Sequence, residues 1–489
     1  MSIYSLFMNE EMVYPGQGPL FRPATAYPEY PFGENGYADG ENAVYDGVRK
    51  LFHLSGLDVE NYGTSNWNPL GKYVRHGDRV LVKPNLVMHA NPTGNGTDCL
   101  YTHPSVIAAV VDYVAIALSG TGSIVLADAP MQSCDFDALV RESGLSELVA
   151  WYRERGLNIS LKDMRGLKSN YESGRLEQVL VEGVEGKVID LGEESSFWGL
   201  SHDCIDGLRI TNYDPRELKS HHTQDRHEYF ISQDLLDANV VINLPKAKTH
   251  RKAGITGALK NMVGVNVRKE YLPHHMNGSA VEGADEYEHK SAFKRISSVL
   301  LDKKNEGLAS SGTLRRKALG FILRGFNFMG KRASGDPYSE GSWWGNDTIW
   351  RTVLDLNKIV FYADNKGSMR DEQQRRMLVL CDMVTIGQGE GPLLPEPGEW
   401  HMLAFSDNPT THDAAMARIM GTDERLIPTV HHALEYQGKY AWEKVDTKSV
   451  HCASNVECFN ECALADLNAD LYFSAKPTSG WSARFKREE

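Results

Sequence analysis

The sequence predicts an α/β protein: mostly parallel sheet with helices on both faces, two lobes around a cleft, and a long irregular insertion. Three observations carry this. Short apolar runs at 79–82, 123–127 and 239–244 read as buried strands. Between the first two, Ile107, Val110, Val111, Val114 and Leu118 recur at helical spacing. Strand, helix and strand at that spacing make a βαβ crossover, whose strands are parallel.

Residues 1–40 are rich in Pro, Gly and Tyr and read as an arm lying over the body. An α/β lobe follows over 41–269, with helical spacing from Asn42. Its crossover helix starts near Pro104, where a missing N–H is tolerated, and Thr102 is the expected cap. Residues 270–345 are the insertion or lid, since so long an irregular stretch is usually a lid or binding loop. Over 346–489 the grammar repeats as a second α/β lobe and tail. Strand 377–386 runs into GQGEGP, strand 402–405 into Ser406-Asp407-Asn408-Pro409, and a helix spans 411–420.

The 489 residues carry a formal charge of −13, which argues against a nucleic-acid groove, since phosphate backbones select a dominant basic face. A local basic pocket remains compatible with that balance. No run of about 18 apolar residues marks a spanning helix. The N-terminus reaches Glu10 and Glu11 without the pattern of a signal peptide. With seven scattered cysteines, these features give the expectation of a cytoplasmic protein. Helical residues 314–330 place Leu319, Ile322, Leu323 and Phe326 on one stripe among Arg315, Arg316, Lys317, Arg324, Lys331 and Arg332. Such a helix serves as a lid, an interface or a peripheral membrane contact.

The chemistry concentrates in 241–268, VINLPKAKTHRKAGITGALKNMVGVNVR. In a parallel sheet Lys83, Asp128, Lys246, Lys248 and His250 reach the C-terminal strand edge, where open α/β sheets bind ligands. The wheel over 253–264 sets Ile255, Ala258, Leu259, Met262 and Val263 on one apolar arc, with Thr256 and Lys260 at its border. Gly254 and Gly257 would let backbone approach a ligand and leave N–H groups free at a helix start. Lys83, Asn85, Lys246, Lys248, Thr256, Gly257, Lys260 and Asn261 are therefore the expected substrate-binding residues for a phosphate or carboxylate. His250, His103, Glu390 and Asp128 are the expected catalytic residues, for proton transfer or its orientation. In the insertion, His274, His275, Glu282 and Asp285 supply ligand types for a divalent metal, although their spacing matches no established motif.

Several stretches together resemble the domain of unknown function 362 family. They are GDRVLVKPNLV at 77–87, THP at 102–104, VLADAP at 125–130, INLPKAKTH at 242–250, TGALKNMVG at 256–264, GQGEGP at 387–392 and SDNPTTHDAAMARIMG at 406–421. The resemblance implies an α/β body and singles out Lys83, Asn85, His103, Asp128, Lys246, Lys248, His250, Lys260, Asn261, Glu390 and Asp413, without assigning them roles. Many members of that family carry an appended ferredoxin cassette. The spacing of Cys452, Cys458 and Cys462 fits neither a ferredoxin run nor paired zinc knuckles, so an iron–sulfur cluster of that type is not expected. The leading expectation is an enzyme acting on a small or nucleotide-linked anion in a Lys/His-lined cleft, with or without a divalent metal. A non-catalytic ligand-binding or assembly protein and a redox protein with a metal centre are the alternatives. Substrate, cofactor and oligomeric state are left open.

Overall fold

A computed structural model describes residues 2–16, 21–33, 36–38, 40–172, 175–306, 313–467 and 473–485, with backbone only for 170–172, 175–177 and 313–318. Parts of the expected arm (1, 17–20, 34–35 and 39) and the side chains of Arg315, Arg316 and Lys317 lie outside that description.

One ten-stranded sheet organises the described residues. Its strands are β1 (Tyr4–Met8), β2 (Arg79–Pro84), β3 (Ser123–Asp128), β4 (Ile159–Asp163), β5 (Val240–Leu244), β6 (Lys246–His250), β7 (Gly254–Thr256), β8 (Arg376–Glu390), β9 (Leu394–Ser406) and β10 (Cys452–Ser454). The order across the sheet is β10-β1-β9-β8-β5-β2-β3-β4, with β6 also on β8 and β7 on β6. From β8 to β4 neighbouring strands are parallel: Val241 pairs with Leu81 on one side and Met377 on the other. The β8–β9 and β9–β1 pairs are antiparallel. Strands from 79–250 and from 376–406 thus share one sheet, and β1, inside the expected arm, is an integral strand of it.

Alternate residues of the central strands enter two different cores, which explains their unbroken apolar character. Val80 and Val82 pack with Val44 and Val48 of α1 (Ala43–Leu54) and Ile107 and Val110 of α2 (Pro104–Leu118). Leu81 packs on the opposite face with Leu259 of the short helix α3 (Ala258–Asn261). A third cluster joins Leu6 and Met383 to Ala414 and Met416 of a later helix (Pro409–Ile419). Helices therefore cover both faces, as an α/β sheet requires.

The start of α2 differs from expectation. His103 is the N-cap, its Nδ1 accepting from the Ser105 N–H. Thr102 instead ties two strand ends together, its hydroxyl donating to the Leu244 carbonyl at 2.6 Å and accepting from the Asn85 N–H at 3.0 Å. The expected helix over 253–264 is also broken up. Gly254–Thr256 pairs back on β6, Ala258–Asn261 is a single helical turn, and Met262–Val265 is a 3-10 turn. Ile255 consequently joins the third core while Ala258, Leu259 and Met262 join the second.

Within the expected insertion, α4 (Ala292–Asn305) and α5 (Thr313–Ser334) pack on each other, with Phe293 and Phe326 ring centroids 6.2 Å apart. Two further helices complete the set used below, α6 (Ile349–Tyr362) and the Pro409–Ile419 helix, α7.

Candidate functional site

The C-terminal ends of β2, β3 and β6 meet α3 around a cavity of roughly 210 Å³. Its charged walls are Lys83, Arg251, Lys252, Lys260 and Lys269 against one carboxylate, Asp128. Asn85, Asn261, Thr256, His250 and His274 add polar groups, and Met131, Ile210, Tyr213, Val263 and Leu393 supply apolar surface. Such a concentration of cations gives the cavity wall a locally positive character in an acidic chain.

The cations divide into those already satisfied and those still open. Lys83 is fully buried and its ammonium donates to Asp128 Oδ1 at 2.7 Å, to the Pro84 carbonyl at 2.9 Å and to Asn261 Oδ1 at 3.2 Å. Asp128 Oδ2 accepts from the Leu86 N–H at 2.8 Å, so this pair is a closed structural unit. Gly264 belongs to it, because a Cβ there would lie 2.1 Å from Asp128 Oδ1. Asn85 donates to the same Asn261 oxygen at 3.1 Å and accepts from Lys248 at 2.5 Å, extending the network along the strand ends.

Lys260 has no hydrogen-bond or salt-bridge partner among the described residues, and neither has the Arg251 guanidinium. Burial, then the neighbouring Lys83 charge, lowers the Lys260 ammonium to about 8. Burial likewise brings Lys269, whose ammonium donates to the Val263 carbonyl at 3.1 Å, to about 7. Lys252 donates to the Glu340 carbonyl, and burial lowers it to about 8. Thr256 Oγ1 is buried without a hydrogen-bond partner. An unpaired ammonium and an orphaned hydroxyl in one cavity are unmet demands that an anion with acceptor oxygens satisfies.

The two imidazoles are held differently. His250 Nδ1 accepts from the Lys252 and Ala253 N–H groups, both at 3.1 Å. His274 Nδ1 faces the Leu272 carbonyl at 2.8 Å, and a carbonyl only accepts. Burial and the surrounding cations, Lys260 first, hold both imidazoles well below the ordinary histidine range, so both are neutral at pH 7.

Of the residues expected from sequence, the cavity gathers Lys83, Asn85, Asp128, His250, Thr256, Lys260 and Asn261, and His274 from the expected metal set. It does not gather Lys246, Lys248, His103, Gly257 or Glu390. Lys246 is salt-bridged to Asp382 at 3.0 Å and donates to the Tyr14 hydroxyl, which donates to Asp382 at 2.5 Å. His103 stacks on Tyr14 with ring centroids 4.0 Å apart, and burial lowers it to about 3. Lys248 also donates to the Leu100 carbonyl at 2.6 Å. Glu390 is exposed and accepts from the Ser479 N–H at 2.7 Å.

Gly257 does not open the helix start to a ligand. The carboxylate of Asp413, on α7, fills that space and accepts from the Ala258 and Leu259 N–H groups at 2.6 and 3.0 Å.

The expected metal residues are dispersed as well. Asp285 accepts from the Met276 and Asp347 N–H groups and from Thr348 Oγ1, Glu282 pairs with Lys290 at the surface, and His275 is buried apart. Among the described residues no three His, Cys, Asp or Glu side chains converge on a metal position.

Arg251, Lys252 and Lys269 were not singled out by sequence. The available signal was their basic character within or beside the segment that holds His250 and Lys260.

The family model described as Domain of unknown function (DUF362) matches residues 80–180 and 198–418. The chain belongs to this family. The match contains both strand ends and all of the Lys/His segment that build the cavity. The chain is also similar to "Thylakoid-associated protein sll1697" of Synechocystis sp., at 27% identity over 195 residues, covering 40% of this chain and 41% of that protein. This chain therefore aligns with less than half the length of that relative. A crystal structure of a Thermotoga maritima protein covers 73% of this chain and 53% of its own, at 11% identity and a TM-score of 0.27, too low to carry an argument. Among the described residues no helix is long and apolar enough to cross a membrane.

Proposed function

We propose that the protein is an enzyme whose cavity binds a small phosphate- or carboxylate-bearing molecule. The observation that carries this reading is the Lys260 ammonium, unpaired beside the orphaned Thr256 hydroxyl in a cavity lined by five cations and one carboxylate. At roughly 210 Å³ the cavity suits a metabolite-sized anion better than a dinucleotide. Titration calorimetry of the full chain with inorganic phosphate, pyrophosphate and pyruvate tests it. Binding that Lys260→Met and Arg251→Met each weaken by about tenfold or more fits a charge-assisted contact. Failure of all three anions to bind, or unchanged affinity in both variants, overturns it.

A second reading concerns the α4–α5 hairpin, which we propose contacts an anionic membrane surface. Phe321 is 80% and Phe328 67% exposed, and Ile322, Met329, Phe293, Ile296 and Val299 are exposed on the same two helices. Arg324, Lys331 and Arg332 are exposed on α5, which holds no acidic residue in a chain of charge −13. An apolar stripe flanked by cations is the pattern of a helix lying in a lipid interface. The name of the cyanobacterial relative, thylakoid-associated, agrees with it. Co-sedimentation with vesicles containing phosphatidylglycerol, lost on Phe321→Glu with Phe328→Glu and absent with phosphatidylcholine alone, is the expected result. Self-association through the same residues without vesicle binding overturns it.

A further inference from the structure

Resting on the reading that the cavity binds a small anion, we infer that His274 and His250 are a proton-transfer pair, held in opposite tautomers, for a carbon next to a carbonyl. The backbone sets the tautomers. His274 Nδ1 faces the Leu272 carbonyl at 2.8 Å, so the proton sits on Nδ1 and Nε2 is a bare acceptor. His250 Nδ1 accepts from two backbone N–H groups at 3.1 Å, so its proton sits on Nε2, which is a donor. Both residues line the cavity, and neither Nε2 has a hydrogen-bond partner among the described residues.

One ring therefore offers a base and the other an N–H donor to the same bound molecule. The cations that attract an anion also keep both rings neutral, since Lys260 and Lys252 disfavour protonation of each. His274 is therefore an unprotonated acceptor and His250 a donor at neutral pH, and a bound anion, by offsetting the Lys260 and Lys252 charges, raises the basicity of His274 for the transfer.

The step balances without an oxidant or reductant. His274 Nε2 takes the proton from a carbon next to the substrate carbonyl, and the C–H electron pair becomes the C=C bond of an enolate. The carbonyl π pair moves to oxygen, where the His250 Nε2–H hydrogen-bonds the developing charge and stays on nitrogen. The His274 imidazolium then returns a proton to the same carbon, and the pair on the enolate oxygen re-forms the carbonyl. The substrate class is a small carboxylate or phosphate ester carrying a carbonyl, and the reaction class is hydrogen exchange through the enolate at the carbon next to that carbonyl. Lys83 and Asp128 take no part in the proton transfer, being closed on each other.

The test has two parts on the full chain. Long-range ¹⁵N NMR of histidine-labelled protein, assigned with His250→Asn and His274→Asn, reads the tautomers directly. A proton on His250 Nε2 and on His274 Nδ1 is expected, and the same tautomer at both overturns the inference. Proton NMR in D₂O then follows carbon-bound hydrogen in pyruvate and dihydroxyacetone phosphate. Exchange is expected to fall about 100-fold or more in His274→Asn, the scale of a lost general base, while probe affinity stays within about threefold. His274→Gln serves as the second variant should the first fail to fold. Probes that bind but do not exchange above the buffer rate overturn the pair and leave anion binding standing. Probes that do not bind remove the anion reading and this inference with it.

Discussion

Asp413 occupies the volume that a side chain at Gly257 would need: a Cβ there would lie 2.1 Å from Asp413 Oδ1. The same carboxylate accepts from the first two N–H groups of α3, so the helix start is filled by the protein's own anion. Thr256 and Lys260, on either side, are left to face the cavity.

Gly257→Ala is expected to destabilise the fold by about 1–3 kcal/mol, because a rigid backbone-bound carboxylate cannot move aside without losing two hydrogen bonds. Asp413→Asn keeps the volume but sets an amide NH2 against one of the two α3 N–H groups, so it should destabilise as well by losing one of the two hydrogen bonds. Urea unfolding midpoints at pH 7 check both, with Gly264→Ala, which meets the Lys83–Asp128 pair, as a second case of the same effect.

Lys83 and Lys260 should respond oppositely to the same change. Lys83→Met strands Asp128 as a buried, unpaired carboxylate and is expected to lose about 3–5 kcal/mol. Lys260→Met removes a cation that has no partner and sits beside Lys83, so stability should hold or rise while anion affinity falls. Parallel unfolding and calorimetric titrations separate the structural lysine from the binding one.

Anion binding near pH 8 should take up protons. With Lys260 at about 8 and Lys269 at about 7 in the free protein, both are partly deprotonated there, and a bound anion raises each. Titration of phosphate in two buffers of different ionisation enthalpy measures the uptake. It should be positive and should shrink in Lys260→Met.

The buried lysines should each contribute stability that grows with pH between about 8 and 9.5. Lys252 and Lys260 at about 8, and Lys248 and Lys269 at about 7, lie below their unfolded value near 10.4. A depressed folded value makes the unfolded chain bind more protons across that window, and stability then increases with pH. Asp112 and Glu286, raised by burial to about 7, and Asp285, raised to about 6, act in the opposite sense, but their contribution is lost by about pH 8. Burial also raises Cys99, Cys134, Cys381, Cys452 and Cys462 and several tyrosines such as Tyr45 and Tyr152, which oppose the lysines in the same window. The lysine contribution is therefore read as a difference: between pH 8 and 9.5 the urea midpoint of Lys260→Met should gain less, or lose more, than that of the parent protein.

The βαβ unit was legible because its signals are local. Val80 to Val82, the Ile107–Val110–Val111–Val114 stripe and Ile124 to Leu126 each announce an element within a few residues, and the structure places all of them in the core. The helix expected over 253–264 failed for one local and one distant reason: Ile255 folds back in a hairpin onto Thr249, and Asp413 begins α3 from 155 positions away. β1 was likewise invisible as a strand, since its partners are Leu403 and Ala453 at the far end of the chain.

The sequence by itself determined the α/β class, the strand ends that carry Lys83 and Asp128, and the segment in which the chemistry concentrates, because each depends on periodicity and order along the chain. Only the tertiary structure decided which polar groups are free. Lys246, Lys248 and Gly257 look as available in sequence as Lys260 and Thr256, yet Asp382, Asn85 and Asp413 occupy them. Whether a buried charge is satisfied depends on partners brought together by folding, and it is the groups left unsatisfied that define the site.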